Sequence, residues 1–134
     1  MDDANPPAGG WLVACLCAAW CRTCDGYRDT LAAAAARQPG WRFAWVDIED
    51  HADALDDPDG AADDIESFPT LLLVHDGQAH FFGTVLPHAG VLDRLLAQAA
   101  SGALPRLADP AAVRLAGAVQ RLWEAAPPGL RLGR

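Results

Sequence analysis

The sequence predicts an α/β fold, one domain in which strands and helices alternate around a single sheet. Three observations carry that expectation. The run Trp11-Leu12-Val13-Ala14-Cys15-Leu16-Cys17-Ala18 is apolar throughout, as a strand covered on both faces should be, and it leads almost directly into a helical stretch. Two further apolar runs, Thr70–Val74 and Ala79–Val85, flank Asp76-Gly77, the dipeptide of a tight hairpin. Finally, 134 residues of which 51% are apolar suffice for one buried core and argue against disorder.

Taken in order, Met1–Gly10 is a polar tail rich in proline and glycine. Trp11–Ala18 forms the first strand. A helix follows from about Cys21 to Gln38 and is stopped by Pro39-Gly40. Gly26 early in that helix costs roughly 1 kcal/mol against alanine, so a kink or a close packing contact is expected there. Trp41–Ile48 is the second strand, and residues 51–66 form a helix or an irregular loop. After the hairpin, Pro87–Ala100 is a helix entered at its proline and closed by Gly102. Asp109-Pro110 then pairs an N-cap with a first helical residue. Leu115, Val119, Leu122, Trp123 and Ala126 recur at helical spacing and make one apolar stripe. The expected division is a tail over 1–10, a domain over 11–100 and a helical extension over 101–134 packed on that domain; a docking or dimer helix is the alternative.

The chemistry lies in Trp20-Cys21-Arg22-Thr23-Cys24. Two thiols separated by two residues reach one another across a helical turn. A strand ending there and continuing as a helix places the first sulfur over unpaired N–H groups and the positive end of the helix dipole. That position, with the charge of Arg22 beside it, favours thiolate, the form that attacks disulfides.

Together with Ser67-Phe68-Pro69-Thr70 at the start of the third strand, this motif resembles the thioredoxin family, from about Trp11 to Ala100. The resemblance implies a three-layer α/β/α sandwich with a mixed four-stranded sheet. It lacks the family's first strand and helix, for which ten preceding residues leave no room, and gains a C-terminal helix. It also implies a thiol–disulfide oxidoreductase needing no cofactor or metal. Cys21 would be the exposed nucleophile, tuned by Arg22, and Cys24 the resolving thiol tucked against the sheet. Trp20, Phe68, Pro69 and Gly83 would rim the sulfur as an apolar docking face, with a cis bond before Pro69. For Gly83 a bulge in the strand is the plainer alternative.

The chain also departs from the family. The buried aspartate usual six residues before the nucleophile is Cys15 here, and the usual tryptophan four before it is Cys17. The lysine that often partners the acid falls at Trp45 or Val46. Cys15 and Cys17, two apart on a strand, share one face. They are small buried hydrophobes or auxiliary thiols, Cys15 being positioned to compete for Cys24. A four-cysteine metal or iron–sulfur site from residues 15, 17, 21 and 24 is disfavoured by the stiffness of the strand.

A net charge of −8 makes nucleic acid and anionic membrane surfaces poor partners. The apolar run Trp11–Trp20 is too short to span a bilayer, and Met1-Asp2-Asp3 lacks the basic start of a signal peptide. A cytoplasmic protein is expected, where Cys-x-x-Cys is catalytic more often than structural. It would act as a monomer on protein disulfides, supplied by an electron donor the sequence does not name. Of the 18 acidic residues, ten lie between Asp47 and Glu66. Among them Asp57-x-Asp59-Gly60 and Glu66 imitate part of a calcium loop, but Leu55 holds the first ligand position. His51, His75, His80 and His88 are read as scattered surface or turn residues. The rival function is a binding or redox-sensing module without turnover.

Overall fold

The computed structural model describes residues 11–17, 22–38, 40–48, 51 and 69–132. The tail, the acidic stretch and its calcium-like positions therefore lie outside the described residues. Four strands, β1 (Trp11–Cys17), β2 (Arg42–Asp47), β3 (Thr70–His75) and β4 (Gln78–Thr84), form one sheet in the order β2-β1-β3-β4. β1 runs parallel to β2 and antiparallel to β3, and β3 runs antiparallel to β4. Among the described residues the helices are α1 (Arg22–Arg37), α2 (Ala89–Ala100) and α3 (Pro110–Ala125). A parallel pair requires a crossover, and α1 supplies it between β1 and β2.

Alternation along β1 divides the core in two. Leu12, Ala14 and Leu16 face one side, where Ala44, Val46, Leu72 and Val74 join Leu115, Ala116, Val119 and Leu122 of α3. Trp11, Val13, Cys15 and Cys17 face the other, with Phe43, Leu71 and Leu73, under Cys24, Tyr27 and Leu31 of α1 and Leu92, Leu95 and Leu96 of α2. Every β1 residue is buried, which explains why the run carries no polar alternation. With helices on both faces of the sheet, the molecule is the expected three-layer sandwich.

Asp76 and Gly77 both take positive φ, 52° and 79°, the conformation a two-residue primed turn demands. α3 starts as its sequence requires, with Asp109 accepting a hydrogen bond from the Ala112 amide at 3.2 Å and Pro110 next in line. α2 begins at Ala89, two residues after Pro87, with His88 as its N-cap. α1 is continuous through Gly26, and a β-carbon built there would meet nothing within 4 Å. Neither a kink nor close packing accounts for that glycine. The register shift in the hairpin falls between Leu73 and Val74, while Gly83 pairs regularly with Leu71. The bulge reading of Gly83 is thereby corrected.

The segment after α3 does more than extend a helix. Ala126 closes α3 in the left-handed conformation. Leu130 and Leu132 then bond β2: the Trp45 amide donates to the Leu130 carbonyl at 2.7 Å, and the Leu132 amide donates to the Phe43 carbonyl at 2.9 Å. Ala44 and Arg131 face each other in this antiparallel bridge. The outer edge of β2 is thus capped, a standard protection for exposed strand groups. Arg131 fixes the segment by donating to the Trp123 carbonyl from Nη2 at 2.6 Å while stacking over the Trp123 ring.

Candidate functional site

β1 ends and α1 begins at one end of the sheet, and the sulfurs gather there. Cys24 lies on the first turn of α1 and is 1% exposed, held against the sheet. It shares its helix face with Tyr27 and Leu31, three and seven residues on. Cys17, the last residue of β1, is disulfide-bonded to Cys24 with their Cα atoms 6.2 Å apart. Cys15 points to the same face, and its Sγ lies 3.3 Å from the Cys17 Sγ. A disulfide sulfur carries no hydrogen, so the Cys15 thiol is the donor in that contact. Three sulfurs therefore stand in a row from the middle of β1 to the start of α1.

Among the described residues little else near them is polar. Thr70 is the one buried polar or charged side chain among the described residues outside that row and Tyr27, and its hydroxyl lies 3.4 Å from that of Thr84. Cys15 stands opposite Trp45 on β2 and Leu71 on β3. Neither an acid nor a lysine occupies that level, in keeping with the departure read from the sequence. Above Trp45 the Arg28 guanidinium sits 5.4 Å from the ring centre, at the outside of the core. Tyr27 is 1% exposed, and its hydroxyl has no hydrogen-bond partner. Burial, and secondly the influence of Cys15, raise its pKa above the usual 10.0, so Tyr27 is a neutral phenol.

Register brings two further predicted residues to this end. Pro69 is buried immediately before β3, whose first residue pairs with Leu16, the neighbour of Cys17. The Pro69 carbonyl accepts from the Val85 amide at 3.1 Å. Gly83 lies two strands from Cys15, opposite Leu71. Trp20, Cys21, Phe68 and the side chain of Arg22 lie outside the described residues, though Cys21 directly precedes the first residue of α1. The sequence had Cys15 as the competitor for Cys24, and the structure gives that partnership to Cys17. The reason is reach: Cys17 closes β1 and faces the first turn of α1, whereas Cys15 sits one pleat deeper. Tyr27 could have been found as the polar member of the 24–27–31 stripe.

The histidines are less scattered than their spacing implies. His75 and His80 meet at the opposite end of the sheet with ring centres 6.0 Å apart. Both contact Trp11, which also stacks on Trp41 at 5.4 Å. Together they line a surface cavity of about 450 Å³ closed by Ala99 and Leu104. His80 Nδ1 lies 2.8 Å from the Leu104 carbonyl and donates to it.

The fold that carries the sulfur row is thioredoxin-like. The mitochondrial thioredoxin 3 of Saccharomyces cerevisiae, in its oxidised form, matches with a TM-score of 0.55 at 21% identity, over 66% of this chain and 78% of that one. A thioredoxin of Fasciola hepatica matches with a TM-score of 0.56 at 22% identity, over 67% and 81%. The germline thioredoxin Deadhead of Drosophila melanogaster gives 0.55 at 14% identity. At such identities the likeness establishes the fold. No protein-family model and no curated protein matches the sequence.

Proposed function

We propose that this chain is a thiol–disulfide oxidoreductase of protein disulfides, using Cys21 and Cys24. The observation that supports it best is a disulfide-forming Cys24 on the first turn of α1, buried against β1 in a thioredoxin-like fold. Cys21 directly precedes α1, so its sulfur belongs at the helix N-terminus, where thiolate is favoured and Arg22 adds charge. Cys21 attacks a substrate disulfide and forms a mixed disulfide; Cys24 then attacks the Cys21 sulfur, releasing the reduced substrate and leaving the chain oxidised. An electron donor must reduce the chain again. Trp20, Phe68, Pro69 and Gly83 form the apolar surface on which an extended substrate segment docks. The setting we propose is the reducing cytoplasm, with the chain acting as a monomer.

One observation favours a second reading, a redox-sensing module that docks one partner. Cys24 is bonded to Cys17, and while that bond lasts Cys24 is withheld from Cys21. The two readings part in an assay of insulin disulfide reduction with a Cys21→Ser control. The oxidoreductase turns over, the control does not, and Cys24→Ala accumulates mixed disulfides on Cys21. Partner binding that follows redox state without any turnover replaces the enzyme with the sensor.

A further inference from the structure

A mechanism on Cys21 and Cys24 uses two sulfurs, yet the described core holds two more, on Cys15 and Cys17, that it leaves idle. We propose that Cys15 is a further redox residue of this site, one that opens the Cys17–Cys24 disulfide from beneath. This deepens the oxidoreductase reading and rests on it. In the step, the Cys15 thiolate attacks the Cys17 Sγ. A Cys15–Cys17 bond forms, the Cys17–Cys24 bond breaks, and its electron pair leaves on Cys24, which takes up the proton that Cys15 released. No external oxidant or reductant enters: among Cys15, Cys17 and Cys24 there is one disulfide and one thiol before and after. What changes is the location of the thiol, which moves from the middle of β1 to the first turn of α1. There it is the second cysteine of the Cys-x-x-Cys motif and free to resolve a mixed disulfide on Cys21.

Three observations carry the assignment. The attacking and attacked sulfurs are 3.3 Å apart, at the contact distance from which exchange proceeds. They share one face because they are two apart on a strand. Finally, the attacked Cys17 is bonded to Cys24, which supplies the leaving sulfur.

The test uses the full chain carrying Cys21→Ser, oxidised until one disulfide remains among Cys15, Cys17 and Cys24. The folded protein is incubated with iodoacetamide, quenched in acid and digested with trypsin without reduction. A disulfide sulfur does not alkylate, so each label marks where a thiol has been. Cleavage after Arg22 and Arg28 separates Cys24 from the peptide bearing Cys15 and Cys17. The expected result is label on Cys24, with an internal Cys15–Cys17 loop in the first peptide, growing with time and with pH. Cys15→Ser in the same background loses that label. Label confined to Cys15, or no label at all, overturns the proposal. If Cys21→Ser fails to fold, Cys21→Ala serves with the same outcomes. Because the variant lacks the nucleophile, its result is independent of turnover: label on Cys24 beside a parent that fails on insulin sinks the oxidoreductase reading alone.

Discussion

The two faces of the sheet are both sealed from water, but by different chemistry. Against α3 the sheet presents Leu12, Ala14, Leu16, Ala44, Val46, Leu72 and Val74, all aliphatic. Against α1 and α2 it presents Trp11, Val13, Phe43, Leu71 and Leu73 together with Cys15 and Cys17, met by Cys24 and Tyr27. Since β1 contributes alternate residues to each, the same seven-residue strand is aliphatic on one side and carries the sulfurs on the other. The difference teaches where substitution should be read as stability and where as chemistry.

The comparison breaks most readily at α3. Leu115 is 1% exposed and packed wholly on the aliphatic face. Leu115→Ala should cost about 2–5 kcal/mol in urea unfolding while the oxidised protein keeps its Cys17–Cys24 pairing on peptide mapping. Scrambled pairing would mean that the faces are not separable. A smaller and opposite effect is expected at Gly26 on α1, which is exposed and surrounded by open space. Gly26→Ala should raise stability by about 0.5–1 kcal/mol, and a loss would reveal a contact on the reactive face that packing does not explain.

The smallest effect at neutral pH belongs to Tyr27→Phe, since its hydroxyl has no hydrogen bond to lose. The variant separates from the parent only in alkali. Burial first and Cys15 second raise the phenol above 10.0 in the folded chain, whereas in the unfolded chain it ionises near that value. The stability held in this group is therefore complete below pH 10.0 and declines as pH rises past it. The parent should lose stability there and the variant should lose less. Tyr27 is the one tyrosine of the chain, so tyrosinate absorbance reports it directly. A folded protein whose phenol titrates near 10.0 contradicts the burial argument.

Much of this fold could be read from residues alone, and the reasons are local. The unbroken apolar run of β1, the Asp76-Gly77 turn and the Asp109-Pro110 cap each state a conformation within a few residues. What escaped the reading depends on reach across space. That Cys24 bonds Cys17, and not Cys15, follows from how far β1 extends toward α1, which spacing does not encode. The pairing of Leu130 and Leu132 with β2 was hidden because three residues among prolines and glycine carry no strand periodicity. His75 and His80 looked unrelated for the complementary reason: the hairpin folds them together around Trp11. Conversely, the glycine reasoning erred at Gly26, where composition invited a packing explanation and the surroundings offer none.

The bridge between Ala44 and Arg131 also bears on how this chain reaches its structure. β1, α1 and β2 are near neighbours along the backbone, so they are able to assemble early and at little loop-closure cost. The final edge pairing instead waits for a distant segment to return, which raises contact order and delays completion. Until it arrives, the outer rim of β2 stands as an open template for another chain, so the interval of greatest aggregation risk is the one before residues 130–132 dock.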